Sequence, residues 1–339
     1  MPSKHSRRFF LGAAGAAAAA SGRAPALPVR QFGNTGERLP VLAIGCGNRL
    51  WAAYRTKERG LEALELALDS GIRYFDTAQS YGDGTSESWV GEATWRRRDE
   101  VFLATKTQAR TYDEVLARAE ASLERLRTDR LDVLHIHSLR YEDDLERIET
   151  GRAIEALQRL REEKAVRYIG ITSHADPETL ATALSRHDLD CTQMALNAGL
   201  QGRSPDGAGY WKRGGVSDIF GEPLPPRPFP GESFEDIALP VAVKKGLGIV
   251  GMKVTAQEGL LGQGPDRASA ESLIRYVLSL PVSVVTVGMP DLQMIRENAA
   301  LVRSFEPMAA EEMRDMSDRL AGAHKASLDH HFCDGHVDA

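Results

Sequence analysis

Cysteine is scarce in this chain. Only Cys46, Cys191 and Cys333 occur among 339 residues, and an odd, sparse count builds no disulfide framework. Aromatic residues make up 6% of the sequence. No basic stripe with interleaved aromatics is present, so a nucleic-acid surface is not expected. No segment reaches the roughly 20 strongly apolar residues that a stable membrane span needs. No G-x-G-x-x-G string follows the first strand-like run, which counts against a doubly wound dinucleotide fold. Acids are missing altogether before Glu37.

That acid-free start contains "SRRFFLG" followed by "AAGAAAAA". Paired Arg7 and Arg8 ahead of a weakly apolar run match the twin-arginine export pattern. Residues 1–26 are therefore expected to be a signal peptide. Ala24-Pro25-Ala26 reads as the cleavage site, with Ala18-Ala19-Ala20 as a competitor. The alternative is an alanine-rich helical extension on a cytosolic protein. Export would make the twin-arginine translocase a transient partner and the periplasm or exterior the destination. Losing residues 1–26 removes Lys4, Arg7, Arg8 and Arg23 and no acid, taking the net charge from −6 to −10. Such a surface repels phosphate backbones.

The remainder alternates strand and helix. Short apolar runs fall near 41–45, 73–76, 101–105, 132–136, 166–171, 190–194, 248–252 and 283–287. Amphipathic stretches lie between them, among them 57–70, 112–127, 153–163 and 177–185. In "LEALELALDSG" the apolar positions recur at three and four, and Gly71 supplies a helix stop. Eight βα units predict an α/β fold with a parallel sheet, closed as a (β/α)8 barrel, over residues 27–328. Ahead of it, "VRQFGNTGERLP" reads as a hairpin. Beyond Ala309 one more helix is expected, and then a polar tail from 329 to 339. The rhythm breaks at 200–233, which holds six prolines. A loop of that length in a compact barrel is usually functional or disordered.

Four polar residues stand at or just past strand ends: Asp76, Tyr81, Lys106 and His137. They sit in "IRYFDTAQSYGDG", "VFLATK" and "LDVLHIHS". When a carbonyl carbon accepts hydride, charge develops on its oxygen and a nearby acid must supply a proton. A free phenol, with a pKa of about 10, is too weak to do so efficiently near neutrality. An adjacent ammonium makes it a better donor, and a carboxylate holds that ammonium charged and in place. An imidazole N–H can then polarise the carbonyl. His135 shares the strand face of His137, so alternation alone does not choose between them.

The order of these four residues resembles the aldo-keto reductase family. The G-x-x-x-x-D-T-A-x-x-Y-G pattern is matched from Gly71 to Gly82. "SLERLRTDRLDVLHIH" and "KAVRYIGITS" are similar to further family stretches. The resemblance implies a nicotinamide cofactor, NADP(H) or NAD(H), and interconversion of a small-molecule carbonyl and alcohol. It selects His137 over His135, which becomes an inward layer residue. It also implies that the hairpin plugs the amino-terminal mouth of the barrel.

For the cofactor, the resemblance points to Ser173 and Gln193 at the carboxamide, with His174 standing where Asn is usual. Met252 or Lys253 occupies the place of a stacking Tyr. Gly288 and Met294 stand where relatives grip a 2′-phosphate with cations, and Glu297 and Asn298 match adenine contacts. Trp51, Tyr54 and Trp211 are candidates to line a substrate cleft, and the 200–233 loop is a candidate lid. An exported enzyme lacks an obvious supply of free nucleotide, so a tightly held cofactor is expected. A regulatory or scaffold subunit on the same barrel is the competing function, although it has no need of all four residues. The tail "DHHFCDGH" places His330, His331, Cys333 and His336 close together. No second cluster completes a metal site, and none is expected.

Overall fold

The computed structural model describes residues 26–203 and 233–331. The expected signal peptide, Trp211, most of the 200–233 loop, Cys333 and His336 lie outside the described residues.

Eight parallel strands close into one barrel in the order β10-β3-β4-β5-β6-β7-β8-β9. They are β3 (Leu42–Gly45), β4 (Tyr74–Asp76), β5 (Phe102–Thr107), β6 (Leu131–Ile136), β7 (Val166–Ser173), β8 (Cys191–Ala195), β9 (Gly248–Met252) and β10 (Val284–Gly288). Each overlaps one of the eight apolar runs. Closure comes from β10 pairing in register with β3, for example Val285 with Leu42. No open edge or strand-order reversal remains, so the doubly wound alternative is excluded.

The helices wrap the outside. Those that matter for the site are α1 (Asn48–Tyr54), α2 (Lys57–Asp69), α3 (Thr85–Thr94), α4 (Tyr112–Leu126), α5 (Glu142–Thr150), α6 (Ala153–Glu162), α7 (Pro177–Arg186), α8 (Ala238–Lys244), α9 (Ala270–Ser279), α10 (Leu292–Arg303) and α11 (Ala310–His331). Their apolar stripes explain the wrapping. In α2 the buried residues Gly60, Ala63, Leu64, Ala67 and Leu68 recur at three and four, while Glu58, Glu62 and Glu65 face outward. Thr56 caps its start, accepting from the Arg59 amide, and Gly71 follows its end with a φ of +96°.

Strands β1 (Val29–Gln31) and β2 (Arg38–Pro40) form the amino-terminal hairpin. Phe32 in its turn is fully buried against Tyr74 and Phe102, the first residues of β4 and β5. The Asn34 amide also donates to the Gly246 carbonyl just before β9. The hairpin therefore stoppers the end of the barrel where strands begin. Cys46 lies just past β3 and Cys191 opens β8, so the two sulfurs sit at opposite ends, each buried and free.

At the other mouth, Gly202 bridges Ser233, bringing the described ends of the long segment together. Helix α11 holds this point: Lys325 donates to the Leu200 carbonyl at 2.6 Å, and Asp329 accepts from the Gly202 amide at 2.6 Å. Among the described residues no helix is long and apolar enough to cross a membrane, and no cluster of three metal-ligating side chains occurs.

Candidate active site

In a (β/α)8 barrel the chemistry belongs at the carboxyl ends of the strands. Asp76 closes β4, Lys106 sits next to the end of β5, and His137 directly follows β6. Tyr81 must return over the mouth from the loop after β4. That loop is tied down in several places. The Ser86 hydroxyl donates to the Cys46 carbonyl at 2.6 Å and lies 2.7 Å from the Thr77 hydroxyl. The Gln79 amide donates to Ser122 Oγ and to the Arg118 carbonyl, each at 2.9 Å. Gly82 takes a left-handed φ of +59°, and a Cβ there would meet Trp51 Nε1 at 2.7 Å. Glycine is thus required right after the tyrosine.

The four groups meet. Lys106 is 1% exposed, and Nζ has three partners: Asp76 Oδ1 at 2.8 Å, the Thr77 carbonyl at 2.9 Å and the Tyr81 hydroxyl at 3.3 Å. The Asp76 Oδ1 contact is an ion pair off the direction of an aligned hydrogen bond. The Tyr81 and His137 rings meet edge to face, centroids 5.7 Å apart at 82°. A desolvated ammonium is tolerable here because a carboxylate and two oxygen acceptors surround it. Gln193, from β8, donates through Nε2 to Asp76 Oδ2 at 2.9 Å. A carboxylate can only accept, so the Gln193 carbonyl oxygen points the other way. That oxygen is buried without a hydrogen-bond partner.

Beside this cluster runs a cleft of about 360 Å³. Asp76, Tyr81 and Gln193 line it, as do Met252, Lys253, Gly288, Met294, Glu297 and Asn298. Other expected residues are placed differently. Ser173 is buried and its hydroxyl donates to the Leu139 carbonyl at 2.7 Å. His174 is buried, its Nε2 3.3 Å from Ser138 Oγ, and it does not line the cleft. Tyr54 is buried with its hydroxyl on the Met289 carbonyl at 2.9 Å, and burial, then Asp291, pushes its phenol up to about 12. Its side chain is committed to packing between α1 and the end of β10. Trp51 is half-buried against Gly82, adjoining Tyr81.

Sequence reasoning missed part of the wall. Val254, Thr255, Gln257 and Glu258 line the cleft from the turn after β9, and Ala270 and Ile274 line it from α9. Ala256, Gln257 and Glu258 carry φ values of +48°, +52° and +76° in succession. Three consecutive non-glycine residues in that region are unusual. Their position directly past a strand end was the available signal.

His135 points inward, as expected of a layer residue. It pairs in register with Lys106 and Gly170, and a Cβ on Gly170 would meet its Nδ1 at 2.5 Å. Burial, followed by the Lys106 ammonium and His137, holds its pKa well below the usual value, so this imidazole stays neutral. Burial, followed by Asp76, raises the Cys46 thiol, which is a core group without thiolate reactivity.

The aldo/keto reductase family model matches residues 43–203. An uncharacterized oxidoreductase of Bacillus subtilis, YqkF, is 25% identical over 303 residues, covering 79% of this chain and 89% of that protein. The chain is similar to the aldo/keto reductase family over just under half of its length. Other curated relatives match over about half their length: D-threo-aldose 1-dehydrogenase of a Pseudomonas species is 31% identical over 194 residues, 47% of this chain and 57% of that protein. The holo form of an aldo-keto reductase from Bacillus halodurans, AKR11C1, superposes with a TM-score of 0.66 at 22% identity, covering 89% of this chain and 99% of its own. A Klebsiella pneumoniae aldo-keto reductase in complex with NADPH gives 0.64 at 21% identity, covering 89% and 98%. At these identities the likeness is one of fold.

The backbone carrying His137 is clamped. Arg110 and Asp144 form a bidentate ion pair, both N–O distances 2.9 Å. The same guanidinium donates to the His137 carbonyl at 2.9 Å and the Ser138 carbonyl at 3.3 Å. Ser138 holds a left-handed φ of +51°, kept there from the other side by Thr172 Oγ1, which accepts from its amide at 2.9 Å.

Proposed function

We propose that this protein interconverts a small-molecule carbonyl and its alcohol with a nicotinamide dinucleotide. The observation that carries the reading is the contact chain Asp76–Lys106–Tyr81 at the rim of the cleft. The cleft residues fit the cofactor. The orphaned Gln193 carbonyl oxygen is an acceptor for a carboxamide N–H, and Met252 offers a polarisable thioether for an aromatic face. Bound there, the nicotinamide would supply or take up the hydride.

Tyr81 gives its proton to the oxygen on which charge develops, and takes one back in the reverse direction. Lys106, 3.3 Å from the phenol oxygen, stabilises the phenolate that remains. Asp76 keeps the ammonium in position, and Gln193 fixes the carboxylate. His137, edge-on to the Tyr81 ring, orients the carbonyl oxygen towards the phenol. The test is Tyr81→Phe, with dinucleotide binding and turnover measured on the same sample. The expected result is retained binding with turnover lost by at least a hundredfold. Activity within tenfold of the parent would remove Tyr81 from the role of acid.

The export reading rests on "SRRFFLG" and the acid-free alanine run. The protein is proposed to leave the cytoplasm folded, through the twin-arginine translocase, with its dinucleotide held in the cleft. Cell fractionation of the parent and an Arg7→Lys/Arg8→Lys variant checks this. Equal amounts of processed protein outside the cytoplasm would exclude the route, and periplasmic protein releasing no nucleotide on denaturation would exclude the carried cofactor.

A further inference from the structure

The chemistry tells the two ends of the cleft apart. Hydride has to arrive where Tyr81 handles the proton, so the nicotinamide end lies at Asp76, Tyr81 and the buried, unpartnered Gln193 oxygen. The adenosine end then falls to the rest of the lining, which α9 and α10 supply, α10 packing beside α2.

That rim is acidic. Asp291 caps α10, its Oδ1 accepting from the Met294 amide at 2.8 Å. A carboxylate thus already occupies the anion position at this helix start and uses the donor that a phosphate would need. One turn on, Glu297 lines the cleft, held by Gln293 Nε2 at 2.8 Å. Counter-charge is lacking. Among the described residues Lys253 is the only lysine or arginine lining the cleft, and it stands past β9 rather than on α10. Arg296 turns back along its own helix, donating to the Leu292 carbonyl at 3.3 Å.

A phosphate monoester brings a charge of about −1.5 to −2 at neutral pH. At this rim it would face the Glu297 carboxylate, with a second carboxylate, Asp291, at the start of the same helix. A ribose diol instead offers two O–H donors, which a carboxylate accepts; the acid-for-diol and arginine-for-phosphate alternatives separate the two dinucleotides generally. We infer that the cleft selects the unphosphorylated dinucleotide, NAD(H), because the Glu297 and Asp291 carboxylates on α10 and at its start disfavour a 2′-phosphate. The inference rests on the nicotinamide reading of the site. It departs from the NADPH carried by the Klebsiella protein of similar fold.

The experiment is equilibrium binding, independent of turnover. Full-length protein is titrated with NADH and with NADPH, following nicotinamide fluorescence, at low and at high salt. NADH is expected to bind at least about tenfold more tightly at low salt. The ratio should shrink at high salt, because exposed charges are screened. The double variant Asp291→Asn/Glu297→Gln keeps the helix cap and removes both charges. It should narrow the ratio at least about fivefold, mainly by tighter NADPH binding. Equal or tighter NADPH binding by the parent, or an unaltered ratio in the variant, would overturn the inference while leaving the oxidoreductase reading intact. Binding of neither nucleotide would overturn both.

Discussion

Lys106→Met tests whether the buried ion pair is catalytic machinery or only structure. The Asp76 carboxylate, 2% exposed, would lose an ammonium 2.8 Å away and keep only the Gln193 amide at 2.9 Å. Leaving one member of a buried pair uncompensated costs about 3–5 kcal/mol. The double variant Asp76→Leu/Lys106→Met removes both charges from a space that apolar side chains can fill. It should recover all but about 1–2 kcal/mol, the remainder reflecting the Gln193 donor left without an acceptor. Activity should not follow stability. Without the ammonium both variants should lose turnover by roughly a hundredfold or more. Reduction needs the phenol protonated, and without the ammonium to stabilise the phenolate the falling limb of the pH–rate profile should move to higher pH. Urea unfolding and the pH dependence of kcat for aldehyde reduction, read on the same three proteins, separate the effects. A double variant that regained turnover along with stability would refute a chemical role for Lys106. A single variant as stable as the parent would refute the buried pair.

Arg110→Lys keeps a charge but loses the fork that grips Asp144 and the carbonyls of His137 and Ser138. Turnover should fall about 10–100-fold with dinucleotide affinity unchanged, as misplacement of the imidazole predicts; an equal loss in both would indicate general loosening. Burial pushes the Glu235 carboxyl up to about 7, against the opposing hydrogen bond from Tyr276 at 3.0 Å. Between about 4.3, its ordinary value, and 7 the native state holds a proton that the unfolded chain has released, so stability should fall with rising pH by about 1–2 kcal/mol over that window. Urea midpoints of the parent and Glu235→Gln across the window check it, the variant showing the flatter dependence.

Chain-local pattern was enough to read the eight strands, the hairpin, the flanking helices and the four polar residues. An apolar run of four to eight residues, or a repeat at three and four, specifies an element and the face it buries without reference to the rest of the chain. "FDTAQSYG" likewise carries Asp76 and Tyr81 on one short strand-to-helix turn, so their nearness is already local. Through-space partnerships were decided by barrel closure. Gln193 reaches Asp76 across 117 residues, because β8 and β4 face each other only once the sheet closes. The hydrogen bonds of Ser173 and Tyr54 to the Leu139 and Met289 carbonyls arise from neighbours that no spacing announces. The left-handed run at Ala256, Gln257 and Glu258 contains no glycine to signal it. Of these, Gln257 and Glu258 became cleft wall because tertiary packing overrode local backbone preference.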